Sequence, residues 1–263
     1  MPLQEDLLST RQATDSLLTC IMDMGELLLT SGAEVVRVED TITRLCNAYG
    51  FARVDVFSIT SSIVVTVHNA QGQVFTQTRR ISARNTDLQK VASVNALSRQ
   101  VCRNPISVKE FQTQLGKIRQ TKAYPLPLQC LAYALISAVF AVFFGGTAMD
   151  GCAAALSGIL IFVTELALAK LRMNHLLQAV LVSAFTAFVV VVMVRLGIGN
   201  SPEKITIGNI MLLIPGIAFT TSLRDLISGD TISGLVGICE AVAKAIAIAV
   251  GFAIVLVQAG GIL

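Results

Sequence analysis

Charge is scarce in this chain. Only 14% of its 263 residues are Asp, Glu, Lys or Arg, while 54% are hydrophobic and the mean hydropathy is +0.70. A soluble globular protein carries roughly a quarter charged residues, so the composition excludes an ordinary, wholly soluble chain. Histidine is rarer still, with two copies. His68 lies on an expected strand beside Val64 and Thr66, with no cysteine nearby and no carboxylate at ligand spacing, which favours a structural role. The six cysteines (Cys20, Cys46, Cys102, Cys130, Cys152, Cys239) form no C-x-x-C pair. No metal site and no disulfide framework is therefore expected, in keeping with a reducing compartment. Neither a P-loop nor a G-x-G-x-x-G fingerprint occurs, so ATP-driven transport has no support and no cofactor is expected. Ser58, Thr60, Ser61 and Ser62 supply hydroxyls, but no G-x-S-x-G elbow surrounds them. A formal charge of +3, mixed along the sequence, does not suggest nucleic acid as a partner. The first 25 residues contain Glu5, Asp6, Asp15 and Asp23 and lack a long apolar core, so no cleaved signal peptide is expected.

What charge there is sits mostly in one half. Of 20 Lys and Arg, 14 precede residue 125 and six fall in the 139 positions from there on; acidic residues divide 11 and six. In the polar half, Leu17, Ile21, Met24 and Leu28 form a helical stripe ended by Ser31-Gly32. Val35, Val38, Ile42, Leu45 and Tyr49 form a second, stopped by Gly50. Val54, Val56, Ile63, Val65 and Val67 then alternate with polar neighbours, and Val74 to Ile81 alternates again after the turn residues Asn69 to Gly72. That pattern predicts two or three strands, the last two a hairpin. Helices return at about 87–102 and 108–120, around Asn104-Pro105. Residues 1–122 are thus expected to form a soluble ααβββαα head of the α+β class.

Beyond Pro125 and Pro127 the chain is expected to be an all-α membrane domain, 123–263, of five transmembrane helices. Leu126 to Phe144 and Leu176 to Val194 are uncharged runs of 19 residues, enough to cross about 30 Å of hydrocarbon. The expected spans are about 126–144, 149–169, 176–194, 205–223 and 231–258, with Asp150 capping the second. The short basic loop Lys170-Leu171-Arg172 places the head in the cytoplasm and the C-terminus outside. Arg195 and Lys204 then lie outside, partly offset by Glu203. Small residues cluster at Gly151, Ala154, Ala155 and Gly158 and again at Gly234, Gly237, Ala241 and Ala245, rows that let helix backbones approach closely.

The residues that attract attention lie in the last two spans. Pro215-Gly216 interrupts the fourth, removing a backbone donor and freeing carbonyls near Met211 to Leu213, and broken helices in transporters bind polar groups. Arg224, Asp225, Gly229 and Asp230 make a polar loop whose carboxylates could cap the fifth helix or act as gate residues paired with Arg224. Glu240 and Lys244, one helical turn apart, can neutralise each other within the fifth span. Glu165 is expected near the interface, within reach of Lys170. These eight positions from Pro215 to Lys244 are the candidate substrate-path and gating residues; no catalytic residue is assigned.

Ser31-Gly32-Ala33-Glu34, then Arg37-Val38-Glu39 and Gly50, the segment through Thr78-Arg79-Arg80, and Pro215-Gly216 followed by Asp225, Gly229-Asp230 and Gly234 together resemble the threonine/serine exporter family, in particular its split, two-component members. The resemblance covers nearly the whole chain. It implies a subunit of an inner-membrane secondary exporter of small polar metabolites, threonine and serine or a C4-dicarboxylate such as succinate. It also implies a smaller polytopic membrane subunit as partner, with a homo-oligomer as a further possibility. An alternative from the head alone is a membrane-anchored hydrolase or a ligand-sensing scaffold.

Overall fold

The computed structural model describes residues 2–82, 85–171 and 173–259. Along them run α1 (Pro2–Thr30), α2 (Val35–Ala48), β1 (Arg53–Ile59), β2 (Ser62–His68), β3 (Val74–Arg80), α3 (Leu88–Arg103), α4 (Val108–Arg119), α5 (Leu126–Phe143), α6 (Ala148–Ala169), α7 (His175–Arg195), α8 (Pro202–Leu213), α9 (Gly216–Ile227) and α10 (Thr231–Ala259). They divide into two compact units, one of residues 1–122 with 217–238 and one of 123–216 with 239–263.

The first unit is built on an antiparallel sheet in the order β1-β2-β3. Along β2 the alternate residues Ile63, Val65 and Val67 are fully buried, the period of two that gives a sheet one apolar face. That face meets α1 through Ile21, Met24 and Leu28 and α2 through Val38, Ile42 and Leu45, all in one core. Gly25 is where α1 comes nearest: a Cβ there would stand 2.7 Å from Ile42 Cδ1. The β2–β3 turn is held by Asn69, whose Oδ1 accepts from the N–H groups of Gln71 (3.1 Å) and Gln73 (2.8 Å). α3 and α4 start on side-chain caps, Asp87 accepting from Lys90 N and Ser107 from Glu110 N.

Among the described residues four helices of the second unit, one of them shared with the first, are long and apolar enough to cross a bilayer: α5, α6, α7 and α10. α8 and α9 add a fifth crossing if the pair is counted as one. This pair corresponds to the segment expected at 205–223 and interrupted at Pro215-Gly216. The segment is two 12-residue helices bent by 52°. The cause is local. Pro215 has no N–H, and a residue before proline is driven from helical to extended backbone; Ile214 has φ −60° and ψ 132°.

Glycine sets the packing of α5, α6 and α8. A Cβ on Gly158 would sit 2.7 Å from Tyr133 O, and one on Gly208 would sit 2.5 Å from Ser137 O. Both helices therefore lie against the backbone of α5 itself, the close approach that small residues permit in membrane bundles. Gly251 of α10 is held as closely against Ser183 of α7. The basic turn expected at Lys170-Leu171-Arg172 ends on a residue, Arg172, that lies outside the described ones.

Candidate functional site

The helix break is the first candidate. In an unbroken helix the Met211 carbonyl would accept from residue 215 and that of Leu212 from residue 216. Pro215 has nothing to donate, and the N–H of Gly216 turns instead to Ile214 O at 2.8 Å. Two carbonyls thus lose their helical donors within an apolar stretch, where a backbone group without a partner is costly unless protein, water or solute meets it.

α9 ends in a Schellman motif. Asp230 N donates to Asp225 O (3.0 Å) and Gly229 N to Leu226 O (3.2 Å), with Gly229 at φ +97°. Gly229 is thus the residue that can take the left-handed conformation. Asp230 then opens α10: its Oδ1 accepts from Ser233 N at 3.4 Å. Asp225 is buried, with 3% of its surface exposed. Arg224 Nη1 lies 2.8 Å from Oε1 of Glu34, at the start of α2. The first turns of α10 press on α9, since a Cβ on Gly234 would stand 2.6 Å from Leu226 N and Gly237 abuts Ser222.

Glu240 is exposed and Lys244 half-buried on α10. No ion pair within 4.0 Å joins them among the described residues. Of the eight residues singled out from sequence, the structure brings Arg224, Asp225, Gly229 and Asp230 together at one helix end. It places Pro215 and Gly216 at the break and leaves Glu240 and Lys244 further along α10.

Three polar groups in the second unit had no role assigned from sequence alone or a smaller one. Asp150 is fully buried. Its Oδ2 accepts from Thr147 N and Thr147 Oγ1, both at 2.8 Å, while its Oδ1 accepts from Asn200 N (2.6 Å) and Ser201 N (2.8 Å). Thr147 is the actual N-cap of α6, and Asp150 is both the third-position partner of that capping box and a clamp on the α7–α8 loop. Asn209, also fully buried, exchanges hydrogen bonds with Ser157: Nδ2 donates to Oγ at 2.7 Å, and Oγ donates to Oδ1 at 3.0 Å. Glu165 accepts from Tyr133 OH at 2.6 Å, rather than pairing with Lys170 as expected. A single Asn in an apolar run was a visible signal; its partner, 52 residues away, was not.

Among the described residues the first unit does not assemble a familiar nucleophile. Ser58 is buried, and Glu39 Oε1 accepts from its N–H (2.6 Å) and its Oγ (3.0 Å). In the β1–β2 register Ser58 faces Ile63 while His68 faces Arg53. Five residues of strand separate those positions, about 17 Å at the usual rise. Burial raises the Cys20 and Cys102 thiols above their ordinary range and pushes Cys46 up to about 12, so these cysteines stay protonated and weakly nucleophilic near neutral pH. Among the described residues no group of three His, Cys, Asp or Glu side chains is placed to hold a metal ion.

Comparison with known proteins places this geometry in context. A family model described as "Putative threonine/serine exporter" matches residues 19–258. A protein of Klebsiella aerogenes described as "Probable succinate transporter subunit YjjP" is 25% identical over 235 residues, covering 89% of this chain and 88% of the relative. No solved structure matches.

Proposed function

Because the chain belongs to the threonine/serine exporter family, we propose that it is one subunit of an inner-membrane secondary exporter that moves a small polar metabolite, threonine or serine or a C4-dicarboxylate such as succinate. The observation that carries this reading is the break at Ile214-Pro215. It withdraws two helical hydrogen bonds within an apolar segment and so offers backbone carbonyls to a polar solute. Pro215 and Gly216 make the break. Arg224, Asp225, Gly229 and Asp230 form the helix end that follows it and act as gate residues. The dicarboxylate branch draws support from the relative described as a succinate transporter subunit.

In this reading residues 1–122 are the cytosolic head and 123–263 the membrane domain, with the C-terminus on the extracytoplasmic side. A smaller polytopic membrane subunit completes the transporter. Glu240 supports that partner: it is exposed on an apolar helix of this chain, and a carboxylate left facing lipid is expensive until another protein surface covers it. Lys244, one turn on, belongs to the same path.

The test is export from loaded cells. Cells lacking both subunits are loaded with threonine, serine or succinate and supplied with the partner plus either wild-type chain or Pro215→Ala. Wild-type chain restores export of one solute. Pro215→Ala, which regains a backbone donor, inserts normally and restores little. Equal export with and without the chain for every solute would overturn the assignment.

A further inference from the structure

The first unit also carries a basic cleft. α2 and α3 flank an open cleft of about 700 Å3 whose walls carry Arg37 and Arg44 from α2 and Arg99 and Arg103 from α3, against the carboxylates of Glu34 and Asp40. Helical spacing puts them there. Val38, Ile42 and Leu45 turn one side of α2 into the core, leaving Arg37, Asp40 and Arg44 on a neighbouring side. On α3, Val94, Leu97 and Val101 are buried, and Arg99 and Arg103, one turn apart, line the cleft.

The two carboxylates are already engaged. Asp40 receives Arg44 Nε at 2.8 Å on each oxygen, and Glu34 receives Arg224 Nη1 at 2.8 Å. Arg37, Arg99 and Arg103 have no carboxylate within 4.0 Å among the described residues; the Nε of Arg99 donates to Asn95 O, a neutral acceptor, at 3.2 Å. Three guanidinium groups thus share one cleft with their neighbouring negative charge spent elsewhere. Like charges held on facing helices repel, and an anion placed among them removes that repulsion and accepts their charge-assisted hydrogen bonds. The volume falls within the range of small-molecule pockets, about 300–1,000 Å3.

We propose that the cleft between α2 and α3 binds a small multivalent oxyanion, held by Arg37, Arg99 and Arg103. The ligand class is a molecule with two or more negative charges on carboxylate or phosphate oxygens. This assignment stands apart from the transport reading, because it needs neither the partner subunit nor a gradient.

Calorimetric titration of the full-length chain in detergent, at low ionic strength, tests it with two probes, pyrophosphate and succinate. At least one probe binds to a single saturable site. Its affinity falls about tenfold or more in Arg99→Gln and in Arg103→Gln, each of which removes a charge-assisted contact. Arg53→Gln, an exposed arginine paired with Asp55 on β1, leaves binding unchanged. Pyrophosphate alone binding assigns a phosphorylated ligand, and succinate alone a dicarboxylate; either supports the site. No binding of either probe at millimolar concentration overturns it. So does binding that survives both α3 substitutions, since that ligand would be held elsewhere, the membrane helices included.

Discussion

Asp150 offers a sharp test of how the second unit is held together, because Asp150→Asn keeps the shape of the side chain while removing its charge and one of its two acceptor oxygens. Each carboxylate oxygen accepts two bonds, one oxygen serving Thr147 and the other the N–H groups of Asn200 and Ser201. An asparagine has one acceptor oxygen, so it can keep one pair and must turn two N–H hydrogens towards the donors of the other. Two bonds to a charged acceptor are lost at about 1.5 kcal/mol each or more, giving about 3 kcal/mol before any donor–donor repulsion. The side chain is fully buried, so water cannot replace what is lost. Thermal unfolding in detergent should show a fall in midpoint of about 6–12 °C for that loss. Asp55→Asn is the control: Asp55 is an exposed partner of Arg53, and its loss should change stability by less than about 1 kcal/mol. An Asp150→Asn protein within about 0.5 kcal/mol of wild type would refute the clamp, since a surface-like substitution gives no more.

Gly208→Ala should destabilise by about 1–3 kcal/mol, the usual range for overpacking. The added methyl meets Ser137 O at 2.5 Å and Ala141 N at 2.9 Å, which are backbone atoms that cannot swing aside; chemical unfolding of the purified chain measures it. Cysteine labelling at pH 8 should mark Cys102, half-exposed on α3 and outside the membrane-spanning helices, before Cys20 and Cys46, which are fully buried. Mass spectrometry of the labelled peptides reads the order, and early labelling of Cys46 would contradict its burial.

Sequence spacing carried the local structure well and the long-range contacts poorly. The stripe of Val35, Val38, Ile42 and Leu45 marks α2, because a helix half-buried in a core must repeat its apolar residues every three or four positions, and all four are buried. Asn69 and Gly72 announced their turn through side-chain chemistry that acts over two to four residues. Pro215 announced the break for the same reason. Asp150 was legible only as a cap, since its other two donors arrive from residues 50 and 51 positions later. The ion pair of Glu34 with Arg224 joins segments nearly 200 residues apart, and nothing in either segment names the other. Gly208 was silent, since a lone glycine in an apolar run looks like any small residue until the facing backbone is known.

The split of the fourth apolar segment also bears on how the protein is made. Each half has 12 residues, about 18 Å of helix, well short of the roughly 30 Å of hydrocarbon. A nascent chain cannot release either piece alone into lipid as a finished crossing. α8 gains a lasting place once its glycine seats against the α5 backbone, so biogenesis should retain this stretch at the insertion machinery until the earlier helices have gathered.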